Sequence, residues 1–257
     1  MPPSLDYSPF ATTYKDRADY VPAVVDALLR VAGMRQGDLI CDIGAGSGHL
    51  TEPLLQRGFS VDAVEPTAAM RRLGEQRTHG YPQVRWYDGK GEASGRESDT
   101  YALVTFGSSF NLTDRARALA ETARVLRESG YFACLWNHRV LEDPLQARIE
   151  ELIHDRIPGY SYGMRRTDQT DVIVRSGLFE TPVALSGTQV FRLPSRAWCD
   201  AWASHSTLGQ QAGSGFAGLV DEIRDLVRAE AGDWIDVPYT TRAWVARLVR
   251  DGKDARR

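Results

Sequence analysis

Apolar and polar positions follow one another along this chain in blocks that fit helices and buried strands in turn. Residues 19–32 (DYVPAVVDALLRVA) place apolar side chains at helical spacing. A short apolar run follows at about 38–43, then a helical pattern at 48–57 and a second run at 60–65. Continuous short runs of this kind suit strands buried on both faces. The alternation continues with a helix over 67–79 that Thr67 can cap, a strand at 84–87 and a polar, glycine-rich loop at 88–98. A strand at 101–106, an amphipathic helix at 115–127 and a strand at 131–136 complete the series. Strands alternating with helices predict an α/β fold on a mostly parallel sheet.

Beyond Asn137 the pattern changes. Residues 143–155 read as a helix, 156–166 (RIPGYSYGMRR) as an irregular, aromatic and basic loop, and 169–176 as a further helix. A strand is expected at 183–191 and helices at 195–205 and 216–231. The last strand runs from Trp234 or Ile235 to Trp244, and Pro238 within it suits an edge position. No internal repeat and no linker of separate composition stands out. Residues 1–257 therefore read as one domain, its core at 14–137. Additions at 138–176 and 192–232 would roof one end of the sheet.

The chemistry concentrates where the first strand ends. Asp42 is followed by Gly44-x-Gly46-x-Gly48, and Glu65 lies 21 positions after Gly44, at the end of the second strand. That spacing suits a βαβ unit whose acidic residue reaches the hydroxyls of a ribose. A dinucleotide fingerprint would need G-x-G-x-x-G, but the residue three after Gly46 is His49. Asp42 would repel a pyrophosphate and suits an ammonium group, directly or through water. An NAD-dependent oxidoreductase is disfavoured on both counts.

The D-x-G-x-G-x-G string resembles the first motif of class I S-adenosylmethionine (SAM) methyltransferases. The likeness extends to Gly91-Glu92-Ala93, Arg124-Val125-Leu126-Arg127 with Gly130, and Glu65-Pro66-Thr67-Ala68-Ala69-Met70. Tyr14-Lys15-Asp16-Arg17 and Pro238-Tyr239-Thr240-Thr241-Arg242 are similar to the opening and closing elements of the methyltransferase-11-like small-molecule group. The resemblance implies a Rossmann-like sheet, mostly parallel with the last strand antiparallel, carrying helical lid additions. It implies methyl transfer from SAM, leaving S-adenosylhomocysteine (SAH), to an O, N or C atom of a small metabolite. An RNA (tRNA) methyltransferase and a non-catalytic SAM- or SAH-binding protein are the alternatives. One departure concerns the acceptor side: relatives often carry a His-Trp pair where this chain has Asn111-Leu112.

Site expectations follow from that resemblance. Tyr14 and Arg17 would hold the SAM carboxylate, and Asp42 its ammonium. Gly44, Ala45 and Gly46 would pass their backbone along the methionyl part. Glu65, with Pro66 beside it, would accept the ribose hydroxyls. Met70, Gly91, Glu92 and Ala93 would border the adenine. Phe106, Gly107 and Ser108 would floor the site below the sulfonium. His138, His205 and Tyr160 are the candidate catalytic groups, with His154 behind them. Asn111, Asn137 and Tyr162 are candidates for the substrate side. The loop at 159–166 would serve as a lid toward an anionic or planar substrate.

Composition narrows the partners. The 257 residues are 42% hydrophobic and carry a formal net charge of −3. No global basic field would draw nucleic acid, and no apolar run is long enough to span a membrane. Cys41, Cys134 and Cys199 are widely spaced and suit buried thiols in a reducing compartment. No metal-ligand spacing is present. The expectation is a cytoplasmic biosynthetic enzyme with a small-molecule substrate, self-association into a homo-oligomer being left open.

Overall fold

The computed structural model describes residues 17–249; Tyr14 lies outside them. The elements in chain order are α1 (Pro22–Val31), β1 (Leu39–Ile43), α2 (Thr51–Gln56), β2 (Ser60–Val64), α3 (Ala68–Arg77), β3 (Val84–Tyr87) and β4 (Tyr101–Gly107). Then come α4 (Arg115–Val125), β5 (Leu126–Arg139), α5 (Pro144–Arg156), α6 (Thr170–Arg175), β6 (Val183–Pro194) and α7 (Ser195–Trp202). The last three are α8 (Ser206–Ala212), α9 (Phe216–Glu230) and β7 (Trp234–Arg247).

The seven strands form one sheet in the order β3-β2-β1-β4-β5-β7-β6. Pairings from β3 through β5 are parallel, and β7 runs antiparallel to both β5 and β6. The last strand is therefore the one reversed strand. The order turns back between β1 and β4. In an open α/β sheet such a switch point opens a crevice at the carboxyl ends of the strands.

Both faces of the sheet are covered, so its central strands are apolar throughout. On one face Ile40, Val61, Leu103 and Leu135 pack against α1 and α2 through Val24, Leu28 and Leu54. On the other, Cys41, Val104, Phe106, Phe132 and Trp136 pack with Leu119 of α4 and Ile173 of α6. Alternate residues of each strand thus feed opposite cores. A third cluster joins α5, α7, α8 and α9 through Ile153, Trp198, Trp202, Leu208 and Ile223 to Ile235 and Val237 of β7. This is the lid. Helix α6, inside the span expected to be lid, packs instead on the sheet. The three cysteines are free and buried, and no described helix is long and apolar enough to cross a membrane.

The ends of several elements differ from the sequence reading. Helix α4 stops at Val125, and Leu126 already pairs with Tyr101 before the chain bulges at Ser129, whose φ is +63°. The helical spacing of 115–127 runs on past the hydrogen-bonded helix, which hid the start of β5. Pro238 is not on an edge strand, since β7 lies between β5 and β6. Its tolerance has a local cause. Tyr239 faces Arg139, the last residue of β5, so at Pro238 that side of β7 has no further strand. The Pro238 carbonyl there accepts from the Val140 amide at 2.9 Å, and the missing N–H points to the same open side.

Candidate functional site

The switch-point crevice becomes a cleft because the lid leans over it. Its sheet side is formed by Asp42, Gly44, Ala45 and Gly46 after β1 and by Gly107 and Ser108 after β4. Its lid side brings Tyr162, Arg165, Arg166, Trp198, Trp202 and His205 to the same space. Arg17, Ala18 and Tyr20 close one wall, and Asn137, His138 and Arg139 at the end of β5 connect the two sides.

The glycine turn is made by backbone conformation. Gly44, Gly46 and Gly48 have φ of +66°, +59° and +84°, values that cost an L side chain about 1–2 kcal/mol each. A Cβ on Gly44 would also stand 2.5 Å from the Ser109 Cβ. Ser109 in turn donates to the Ile43 carbonyl at 2.6 Å. The Gly44 and Ala45 amides donate to the Val64 carbonyl at 2.8 and 3.1 Å, which fixes the turn against the end of β2.

Glu65 sits directly beyond. Its carboxylate accepts from the Gly46 amide at 3.0 Å and from the Thr67 amide at 2.9 Å. Burial raises its pKa, while those amide bonds pull the other way. The Thr67 side chain acts on the same carboxylate, which still has acceptor capacity beyond these bonds. Asp42 is more enclosed. It is fully buried and accepts from the Thr51 hydroxyl at 2.7 Å and the Thr105 hydroxyl at 2.8 Å. Burial pushes its pKa up to about 6. These bonds tie the start of α2 to β4 beneath the turn, so Asp42 braces the turn whatever it holds in addition.

The loop at 88–98 stands outside the cleft lining but is held firmly. Glu92 accepts from the Asp114 amide at 2.6 Å, at the start of α4. The Ala93 amide donates to the Lys90 carbonyl at 3.1 Å. Ser94 donates its amide and hydroxyl to Glu121. Burial acts to raise the Glu121 pKa, but hydrogen bonds from Arg124 and Ser94 hold it at about 2. A Cβ on Gly91 would fall 2.6 Å from Thr113 and 3.3 Å from the Phe106 ring. Pro66 follows Glu65 at the head of α3, and Met70 is buried in the first turn of that helix. Phe106 belongs to a phenylalanine cluster with Phe110 and Phe132, centroids 5.4 and 5.8 Å away, on the sheet face opposite the cleft.

Ser108 takes φ of +58° at the exit of β4. Its amide donates to the Leu135 carbonyl, and its hydroxyl shares a 2.9 Å hydrogen bond with Tyr20. A non-glycine residue held in this region marks a position that its surroundings over-determine. Asn137 is fully engaged. Its amide nitrogen donates to the Asp19 carbonyl at 2.9 Å, and its oxygen accepts from Thr241 at 2.8 Å. It pins residues 17–21 to the sheet. Arg17 donates to the hydroxyl and carbonyl of Ser204, at 3.2 and 2.7 Å, so that this wall reaches the lid.

The candidate proton-handling groups divide. His138 lines the cleft, with Nε2 2.9 Å from the Arg165 carbonyl. Burial, followed by Arg166 and Arg165, pushes its pKa down to about 3. His205 lines the cleft too, stacked on Trp202 with centroids 5.5 Å apart, and its Nδ1 is buried without a hydrogen-bond partner. Burial and four surrounding arginines hold it well below the usual range. Both shifts favour the neutral imidazole. Tyr160 lies outside the cleft lining, in the lid core, edge-on to Tyr162 and His154. Burial raises its pKa to about 12. Asn111 also lies outside, on the far face, where its oxygen accepts from the Trp136 indole at 3.0 Å. Tyr162 lines the cleft and donates to Glu150.

Sequence reasoning assigns no role to Arg139, which organises the lid. It is 8% exposed and donates to Gln146 at 2.7 Å and Glu150 at 2.8 Å, with its guanidinium 4.2 Å over the Trp202 ring. Its one sequence signal is its place after His138, where the fifth strand meets the ligand edge.

Residues 41–134 match the methyltransferase domain family. An uncharacterized methyltransferase of Mycobacterium bovis is 35% identical over 125 residues, which are 49% of each chain. The chain spans about half the length of the curated relatives it matches. A solved structure from Anaeromyxobacter dehalogenans, provisionally named a type II methyltransferase, shares the fold at a TM-score of 0.63 and 21% identity. The match covers 90% of this chain and 97% of that one. Phosphoethanolamine N-methyltransferase 2 of Haemonchus contortus, solved with SAH, shares it at a TM-score of 0.53 and 15% identity, over 93% of this chain and 57% of that one.

Proposed function

We propose that the chain carries a class I SAM-dependent methyltransferase domain, takes SAM as donor and methylates an O, N or C atom of a small molecule held under the lid. One observation carries this reading. One cleft runs from the Gly44–Gly46 turn to Trp202 and His205, so the proposed donor and acceptor positions would share one half-open space. The positive charge of the cleft also sits on partly or wholly buried side chains rather than on an exposed stripe, which favours a small ligand over a polymer.

The residues present fit the donor. The left-handed glycines let the backbone approach a methionyl chain with no Cβ in the way. Glu65, bonded to the Gly46 amide of the turn, would accept the ribose hydroxyls. Gly91 and Glu92 lie outside the cleft lining, so their place beside the adenine rests on the resemblance alone, whereas Gly107 and Ser108 would lie under the reacting centre. SAM supplies an electrophilic methyl group, so the difficult chemistry belongs to the cofactor. The chain must orient the acceptor and exclude water, which can be worth about 7–11 kcal/mol in model systems. Trp198, Trp202 and Tyr239 form the apolar side of that enclosure, with the Trp198 indole donating to the Tyr239 hydroxyl at 3.1 Å. Burial lowers the basicity of His138 and His205, so the cleft suits an acceptor atom that is already nucleophilic.

Calorimetric titration with SAH, with NAD as control, tests the donor. Micromolar or tighter binding of SAH alone is expected. No SAH binding, or equal binding of NAD, would sink the reading.

A further inference from the structure

At the lid end of the cleft, two arginines, Arg165 and Arg166, have no carboxylate partner among the described residues. Four arginines line it: Arg17, Arg139, Arg165 and Arg166. Arg139 is paired with Glu150, and that carboxylate is further occupied by the Tyr162 hydroxyl. Arg17 donates to neutral groups of Ser204. Arg165 has one long hydrogen bond, 3.3 Å to the Thr207 hydroxyl. Arg166 donates from Nη2 to the Arg139 carbonyl at 3.3 Å and lies 4.3 Å over the Tyr162 ring, and its Nε is buried with no partner. Neither Arg165 nor Arg166 is within ion-pair distance of a carboxylate among the described residues. The neighbouring His205 Nδ1 is a second buried polar atom without a partner.

Partly buried guanidinium groups without a counter-charge are costly to hold, and a bound anion offsets the cost. The acidic groups of the cleft cannot serve. Asp42 is engaged by Thr51 and Thr105 at the opposite end, and Glu150 is shared between Arg139 and Tyr162. The planar guanidinium matches the oxygens of a carboxylate or phosphate in paired hydrogen bonds. We infer that the acceptor is a small anion, held through a carboxylate or phosphate by Arg165 and Arg166, with Arg17 on the adjoining wall. This rests on the methyltransferase reading of the same cleft. The same arginines add to the burial that disfavours a proton on either imidazole. A carboxylate acceptor is ionised at neutral pH and needs no base, whereas a phosphate would be a handle on a molecule methylated elsewhere.

The test uses SAH-loaded protein titrated calorimetrically with malonate, glycerol 3-phosphate and glycerol. At least one anion binds and glycerol does not; which anion binds more tightly separates the carboxylate from the phosphate. Arg166→Gln weakens that anion by about tenfold or more, the worth of one charge-assisted hydrogen bond, and leaves SAH affinity within about twofold. Arg166→Lys keeps the charge and recovers part of the loss. Arg165→Gln gives the same pattern and serves if the first variant folds poorly. SAH binding without binding of either anion, or anion affinity unchanged in both glutamine variants, overturns the acceptor assignment alone. Absence of SAH binding overturns the donor reading, and the acceptor assignment with it.

Discussion

At the sheet end of the cleft, three consecutive residues, Gly44 to Gly46, contribute backbone, and Glu65 meets them through an amide. At the lid end, the lining comes from the end of β5, the loop at 162–166, α7 and the start of α8, and it contributes arginine, histidine and indole side chains. The sheet end depends on the absence of side chains and on left-handed φ values. The lid end depends on side chains brought together by a separate hydrophobic core. A constant ligand can be met by backbone, whereas a particular acceptor has to be met by side chains that differ between sequences. On the proposed function, the lid would set which acceptor is selected.

Four substitutions would break or sharpen that contrast. The largest effect is expected in the lid. Arg139→Ala strands Glu150 and Gln146 and should destabilise the fold by about 3–5 kcal/mol, the usual result of breaking a buried ion pair from one side. Denaturant unfolding measures it, and a loss under about 1 kcal/mol would refute Arg139 as the organiser of the lid. At the sheet end, Gly44→Ala forces a left-handed alanine against Ser109 and should cost about 2–4 kcal/mol, abolishing SAH binding while the Trp198–Trp202 near-ultraviolet signal persists. Normal SAH affinity in this variant would show that the close approach is not needed.

Glu65→Ala should weaken SAH about 30- to 150-fold, equivalent to about 2–3 kcal/mol, and leave anion binding at the lid end unchanged. Unaltered SAH affinity would remove Glu65 from the ribose contact. The smallest effect concerns Asp42. Its folded pKa of about 6 lies above the ordinary 3.8, so the stabilisation it provides is complete below pH 3.8 and lost as pH rises through 6. Asp42→Asn removes that loss but weakens two threonine hydrogen bonds. The variant should be the less stable protein at pH 4 and gain about 1 kcal/mol over the parent at pH 7. A difference that does not change between the two pH values would show that Asp42 is not raised.

The sheet end was legible in the chain because its signals are local. Asp42, the three glycines and Glu65 fall within 24 residues and announce a strand, a turn and a second strand before any tertiary contact is known. The alternation of apolar runs likewise announced the parallel sheet, while its one reversed strand was implied by the family resemblance and not by the pattern. The lid was legible only in outline. Tyr160 and Tyr162 are two residues apart on one irregular loop, yet one faces the lid core and the other the cleft. No periodicity relates side-chain direction to position in such a segment. Asn111, a candidate for the acceptor side, turns to Trp136 on the far face, because the short helix Phe110–Leu112 directs it there.

The sequence by itself therefore determined the fold class, the glycine turn and the acidic partner at the second strand, because each is a matter of backbone conformation and short spacing. Only the tertiary structure decided that Arg139 braces the lid, that Arg165 and Arg166 face the cleft with no carboxylate partner among the described residues, and that burial shifts both histidines toward the neutral form. These properties depend on burial and on charges brought together from residues 17, 139, 165, 166 and 205. Electrostatic environment is set by distance in space, and nothing along the chain encodes that distance until the lid has packed.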